Sequence, residues 1–398
     1  MKTIPYSRQS INQDDVDAVA EVLRSDWLTQ GPKVGEFEEA LAFVCRAKHC
    51  IAVSNGTAAL HIACLALDLQ PGDTGLTSPL SFIASANCVA YCGATPDFVD
   101  IDPTRLCLSP NEVEAYCETE KAPRVVIPVD FAGVPADLPR LKKLSETYGF
   151  KIIEDGAHAI GSRYTDLGQT YTCGSCAHSD MAILSFHPVK TITTGEGGAI
   201  LTNDDKLAMK LRRLANHGVE RDPVHFVNRE PSPETGNRYP PYYYEMHDLG
   251  FNTRITDIQS ALGISQLKRL DTFKAKRQAI VKKYNQAFER LERKEVVFRP
   301  PWPEDTDPCF HLYVLRLGPA SRITRDDLFL KLREKGINCQ VHYIPIYRQP
   351  FYKKRYGYPF ARFPETEKYF SSCISLPLFP DLGEEAFSYV TATLRGFL

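Results

Sequence analysis

The residues of this chain that could do chemistry fall in four groups, each just beyond an apolar run. The first is Ser179–Asn203, SDMAILSFHPVKTITTGEGGAILTN. It reads as an apolar strand (Met181–Phe186), a tight connection with one lysine, Lys190, a glycine-rich turn (Gly195–Gly198) and a second strand (Ala199–Thr202). A lysine pinned between two core strands lacks the freedom of a surface lysine and is placed to carry an aldehyde cofactor as a Schiff base. A connecting loop whose lysine faces water is the plain alternative, and the other three groups weigh against it.

After the run ending at Ser54 comes Asn-Gly-Thr, then a helix with Leu60, Ala63, Cys64 and Leu67 on one face. Gly56 lets backbone approach a ligand closely, and Gly56 and Thr57 open a helix N-terminus, whose unpaired N–H groups suit a phosphate. An ordinary N-cap at Asn55 or Thr57 is the competing reading. Pro79-Leu80-Ser81-Phe82 opens another helix, and Phe82 either lies flat against an aromatic ring or is a core phenylalanine. Lys151–Glu154 leads into Asp155-Gly-Ala-His158. A carboxylate there can hold a buried heteroaromatic nitrogen protonated, or can simply cap a helix. A phosphate seat, an aromatic platform, a carboxylate for a ring nitrogen and a constrained lysine are the set that pyridoxal 5′-phosphate needs.

These groups need a scaffold that presents strand ends. From residue 50 to 203 apolar runs alternate with helical patterns: Cys50–Ser54, Gly75–Ser78, Pro96–Asp100, Arg124–Val129, Lys151–Glu154, Met181–Phe186 and Ala199–Thr202. Continuously apolar strands in a βαβ rhythm predict an α/β fold with a mostly parallel sheet, covered on both faces, whose ligands sit at the strands' carboxyl ends. Residues 12–24 and Gly35–Phe43 carry helical spacing ahead of this sheet. Residues 219–247, rich in proline, tyrosine and charge, read as a long loop. Residues 1–255, with the N-terminal segment and that loop, form the expected large α/β domain. Residues 256–398 form a smaller C-terminal α+β domain, with helices at Asp257–Lys268 and Asp271–Glu292, strands near His311–Leu317 and Asn338–Tyr343, and a closing helix.

Bulk properties narrow the function. With 398 residues, 43% apolar and 24% charged, a net charge of −2 offers no electrostatic case for nucleic acid or an anionic membrane. The basic run Lys353–Arg355 is too short to change this. No apolar core follows the first residues as in a secretory leader, and Ile51–Leu69 is too polar to span a bilayer. Twelve cysteines without framework spacing suit buried thiols in a reducing, cytoplasmic setting. Cys173, Cys176 and His178 lack a second ligand pair, so no metal is expected.

The motifs SNGTAAL, EDGAHAIGS, SFHPVKTITTGEGG and GFNTRITDIQSALGISQL resemble those of the DegT/DnrJ/EryC1/StrS sugar aminotransferases, of fold type I among pyridoxal-phosphate enzymes. The likeness runs from about residue 5 to the C-terminus. Within the family the chain is most similar to the branch making UDP-4-amino-4,6-dideoxy-N-acetyl-β-L-altrosamine, a pseudaminic acid precursor, through YS near residue 6, LTQGP, HPVKTITTGEGGA and QVHYIPIY. The resemblance implies that Lys190 bonds the cofactor and moves protons, Asp155 pairs with the pyridine nitrogen, His158 lies beside the ring's 3′-oxygen and Phe82 stacks on the ring. It further implies that Gly56, Thr57 and Ser185 hold the phosphate, and that Asn252 reaches the phosphate of a neighbouring subunit in a homodimer with shared sites. Tyr6, Asp26, Trp27, Leu28, Thr29, His311, Tyr313, Gln340, Val341, His342 and Tyr343 would line a UDP-sugar site, with L-glutamate as donor. Some relatives carry histidine for the lysine and dehydrate sugars; the lysine here favours transamination. An aminotransferase for a D-configured or dTDP-linked keto sugar, and a non-catalytic cofactor-binding regulator, are the alternatives.

Overall fold

The computed structural model describes residues 3–228 and 239–398. Seven strands form the central sheet in the order His49–Val53, Gly198–Thr202, Met181–Ser185, Lys151–Asp155, Val125–Ile127, Thr74–Thr77, Thr95–Phe98. Neighbours are parallel except around Gly198–Thr202, which runs antiparallel to both of its own. The sheet is therefore mostly parallel, as the apolar runs predict.

Alternation along each strand sends successive side chains to opposite faces, and both faces are covered. Ile51, Val53, Ile153, Ile183 and Ile200 pack under the helices Gly56–Ala66, Ala84–Tyr91 and Asp205–Ala215. Ala182, Leu184 and Leu201 meet Phe37 and Leu41 on the other side. Ile152 and Val126 meet Leu141 and Leu144 on that same side, further along the sheet.

The C-terminal part holds a three-stranded antiparallel sheet, Val297–Phe298, Tyr313–Leu317 and Cys373–Leu376. Its core is closed by Leu270–Glu292, Arg325–Glu334 and Glu384–Phe397. The stretch expected as a strand at Asn338–Tyr343 forms only a single bridge, Gln340 to Ser375. The N-terminal segment joins this unit: Ile4 bridges Ile337, and Leu378 N–H donates to Tyr6 O at 2.9 Å. Tyr6 is thereby held over the strand ends of the large sheet.

Within the expected loop 219–247, residues 229–238 lie outside the described residues. The flanks are ordered: Val219–Glu220 pairs with Glu245–Met246, and the buried Glu245 carboxylate accepts from Val227 N at 2.7 Å and Asn228 N at 3.0 Å. One acid inside a polar, proline-rich segment clamps it, which composition alone does not reveal. Among the described residues no helix is long and apolar enough to cross a membrane.

Candidate active site

The carboxyl ends of the large sheet open into a cavity of about 630 Å³. Lys190, Asp155, His158, Ser185, Phe82, Gly56 and Thr57 line it from the sheet side, and Tyr6, His311, His342 and Tyr343 face them.

Lys190 sits on a turn with little freedom. Phe186 O accepts from Thr194 N and from Thr193 Oγ1, both at 3.0 Å, and Thr194 Oγ1 donates to Glu196 O at 2.7 Å. Ser7 Oγ donates to Val189 O at 3.2 Å, tying the turn to the N-terminal segment. The glycines permit close approach. A Cβ on Gly198 would stand 2.5 Å from the carbonyl carbon of Asn55, and one on Gly56 would stand 3.0 Å from Ser185 Cβ. Asn55 does cap the helix Gly56–Ala66, its Oδ1 accepting from Ala58 N at 2.8 Å. The cap does not withdraw this helix end from the cavity, which Gly56 and Thr57 still line.

Asp155 ends its strand fully inside the protein. Oδ2 accepts from Ser85 Oγ at 2.6 Å and Oδ1 from Ala157 N at 3.2 Å, and Ser81 Oγ lies 2.7 Å from Ser85 Oγ. Burial pushes the Asp155 carboxyl above its ordinary range, partly offset by these donors and by Lys190. Burial likewise pushes Lys190 down to about 8, against the pull of Asp155. A buried carboxylate with only neutral donors gains from a cationic ligand, and an amine near 8 is readily made nucleophilic.

His158 is set by its neighbours. Ala132 N–H donates to Nδ1 at 3.3 Å, so the proton of the neutral ring sits on Nε2, 3.2 Å from Tyr343 Oη. Burial, Lys190 and His342 hold His158 well below its usual pKa, so it is neutral. With Nε2–H donating to Tyr343, the phenol's own proton is free to point elsewhere. His311 lies 4.4 Å from His158 ring to ring, and its buried Nδ1 has no hydrogen-bond partner among the described residues. His342 Nδ1 is 2.8 Å from Ser375 Oγ, and burial and Lys190 push it down to about 4. Phe82 is 54% exposed and stands 6.1 Å from the Tyr343 ring, so it is a cavity wall and not a core residue.

Other expected residues lie elsewhere. Tyr313 is not a cavity residue: strand alternation turns it with Leu315 into the small unit's core, where its hydroxyl donates to Asn285 Oδ1 at 3.0 Å. Val341 packs with Phe131 and Tyr369, and Gln340 is an exposed residue at the bridge to Ser375. Asp26, Trp27, Leu28 and Thr29 are exposed and do not line the cavity of one chain. Neither does Asn252, which bridges to Asn216. Cys173, Cys176 and His178 do not converge: His178 Nδ1 is 2.9 Å from Tyr164 Oη and Cys176 Sγ donates to Leu201 O. Cys173 instead meets Asp130 and Glu154, all three buried with donor atoms within 4.8 Å of one another. Burial pushes both carboxyls upward, Asp130 to about 7 and Glu154 well above the ordinary carboxylate range.

The profile of the DegT/DnrJ/EryC1/StrS aminotransferase family matches residues 9–395. The chain belongs to that family. Its sequence is 35% identical to the spore coat polysaccharide biosynthesis protein SpsC of Bacillus subtilis, over 98% of this chain and 96% of SpsC. Its fold matches the Helicobacter pylori aminotransferase PseC, involved in the biosynthesis of pseudoaminic acid, with a TM-score of 0.87 and 28% identity over 100% and 99% of the two chains. The putative sugar aminotransferase Spr1654 of Streptococcus pneumoniae, in its pyridoxal-phosphate form, matches with a TM-score of 0.86 and 26% identity, over 99% and 98%.

As a sugar aminotransferase of the DegT/DnrJ/EryC1/StrS family, the protein depends on pyridoxal phosphate. The cavity fits that group on its own terms. It offers a constrained amine, a buried carboxylate lacking a cation other than that amine, and a helix N-terminus that a side chain on Gly56 would crowd. Reading the sequence missed Ser85, whose hydroxyl orients Asp155. Nothing in SPLSFIASA marks it; only the packing of Ala84–Tyr91 on the sheet does.

Proposed function

We propose that the protein moves the amino group of L-glutamate to C4 of a UDP-linked 4-keto-6-deoxy-N-acetylhexosamine, giving UDP-4-amino-4,6-dideoxy-N-acetyl-β-L-altrosamine for pseudaminic acid (the activity classed as EC 2.6.1.92). The full-length match to PseC carries this reading. The wall of Tyr6, His311, His342 and Tyr343 opposite Lys190 supports it: neutral imidazoles and phenols suit hydroxyl-rich sugars better than charged groups would.

Pyridoxal phosphate, when bound, carries the amino group between donor and acceptor and takes up the electrons of the carbon that loses its proton. Lys190 would bond it between turnovers. Its Nζ, once released, would take the proton from the glutamate α-carbon and give one to C4 of the sugar, and the burial that lowers this amine's pKa favours the neutral form the first transfer needs. Asp155, oriented by Ser85 and Ala157, would accept from the ring N–H and keep that proton in place. Gly56, Thr57 and Ser185 would take the phosphate at the helix N-terminus. His158 and Tyr343 form one hydrogen-bonded unit that would stand beside the ring's oxygen, and Phe82 would cover a face. Glutamate leaves as 2-oxoglutarate.

Asn252 and the segment Asp26–Thr29 serve the cavity of a second copy of the chain. Exposed Trp27, Leu28, Leu249 and Phe251 beside them support an apolar contact surface there.

A second reading draws on SpsC, whose identity to this chain exceeds that of PseC: an aminotransferase for another nucleotide-linked keto sugar, D-configured or dTDP-linked. Incubation with glutamate and each candidate keto sugar, with the product's C4 configuration read by NMR, separates the two. Turnover of the L-altrosamine precursor alone supports the first. Preference for a D-configured or dTDP-linked substrate overturns it in favour of the second. No turnover of any would return the chain to a cofactor-binding regulator.

A further inference from the structure

A second cavity, about 480 Å³, lies outside the Lys190 site and shares no lining residue with it. Its floor is apolar: Ile101 and Leu106 from the large unit, with Phe298 and Leu317 from the small sheet. The helix Pro364–Ser372 forms one side, through Glu365, Lys368 and Tyr369. The volume falls in the range that holds small organic ligands, roughly 300–1,000 Å³.

Arg316 sets the character of this groove. It projects from Tyr313–Leu317, and its guanidinium carbon lies 5.8 Å from the centre of the Phe298 ring. Among the described residues it makes no ion pair, and its Nε is shut off from water without any acceptor. Three other partly buried arginines are paired, Arg105 with Asp305, Arg299 with Glu292 and Arg348 with Glu367, whereas the unpaired Arg277 gives its guanidinium to the carbonyls of Phe310, His311 and Leu378. Glu365 and Glu292 act on Arg316 only through space, without pairing with it, and Glu365 Oε2 lies 3.9 Å from Lys368 Nζ, so among the described residues the guanidinium keeps no direct acidic partner beside the apolar floor. A half-buried guanidinium with a shielded, unpaired Nε and no ion-pair partner carries a desolvation cost, and a planar anion on its open side offsets that cost with paired hydrogen bonds.

We propose that this groove is a binding site for a small organic anion, a carboxylate or phosphate head on a short apolar body, with Arg316 as its counter-ion. The head occupies the guanidinium's open side and the body lies along Phe298, Leu317, Ile101 and Leu106. The site stands on its own and does not depend on which sugar the Lys190 cavity accepts.

The test uses the enzyme loaded with pyridoxal phosphate, so that the phosphate seat at Gly56 is filled. Calorimetric titration with hexanoate, inorganic phosphate and neutral hexanol separates head from body. At least one anion binds wild type at least tenfold tighter than hexanol; hexanoate alone identifies a carboxylate head and phosphate alone a phosphate head. Arg316→Gln weakens that anion tenfold or more, and Lys368→Gln, at the exposed rim, weakens it two- to fivefold. Equal anion affinity in wild type and Arg316→Gln overturns the proposal, as does failure of both anions to bind wild type. Should Arg316→Gln not fold, wild-type crystals soaked in 4-bromobutyrate decide. An anomalous bromine peak over Phe298 supports the site, and an empty groove overturns it.

Discussion

The two walls of the Lys190 cavity are built in different ways. The sheet-side wall comes from residues at or a few positions beyond strand ends: Gly56, Phe82, Asp155, Ser185 and Lys190. Backbone fixes each of them locally, through the strand pairs around Ile183 and the tied turn Phe186–Gly198. The facing wall joins Tyr6, His311 and the pair His342–Tyr343, three separate stretches of sequence that meet only because the small unit and the N-terminal segment close over the sheet. A strand-end wall is suited to gripping a constant cofactor, since it moves only if the core moves. A wall assembled from separate elements can vary without touching that core, and this is where a choice among sugars belongs.

That contrast breaks if sheet-side changes spare chemistry. Lys190→Ala should lower turnover on the order of 10³-fold or more and abolish the visible absorbance that its bond to the cofactor gives. A retained band in the variant would place the attachment on another residue. Asp155→Ala should slow both half-reactions on the order of 10²-fold while some cofactor stays bound; unchanged single-turnover rates would give the ring nitrogen a different partner. On the facing wall, Tyr343→Phe removes one hydroxyl that accepts from His158. It should cost about tenfold or less in kcat/KM, with cofactor affinity unchanged by equilibrium dialysis. A large loss of cofactor would move Tyr343 to the other side of the comparison. The smallest effect belongs to Tyr313→Phe, which breaks the bond to Asn285 in the small core. It should lower unfolding free energy by about 1 kcal/mol in urea melts and leave kcat/KM as in wild type. A specific rise in KM for the sugar would return Tyr313 to the site.

The same contrast explains what could be read from residues alone. The central strands stand out because both faces are buried, which leaves uninterrupted apolar runs such as Met181–Ser185. Burial on both faces looks the same in either direction, so the reversed sense of Gly198–Thr202 is invisible until pairing is known. Strand-end residues such as Asp155 follow from their position. On the facing wall, the motif QVHYIPIY points to His342 and Tyr343 but also takes in Gln340 and Val341, which turn away from the cavity. Tyr313 fails for a comparable reason: one step along a strand exchanges cavity for core. The tautomer of His158 depends on Ala132 N–H, a contact between separate loops that no local pattern encodes.

The acids Asp130 and Glu154, just beneath Asp155, carry an environmental consequence. Both carboxyls are raised by burial, so the folded chain keeps a proton that the unfolded chain gives up above the ordinary carboxylate range. The native state therefore binds more protons, and stability falls as the pH rises above the ordinary carboxylate range and through Asp130's value of about 7, with Glu154 acting in the same direction. Melting temperature should drop across that interval, and Asp130→Asn should flatten the decline; an equally steep slope in the variant would mean the proton lies elsewhere. The enzyme thus carries an alkaline ceiling under its own floor, set by two groups that never touch what it binds.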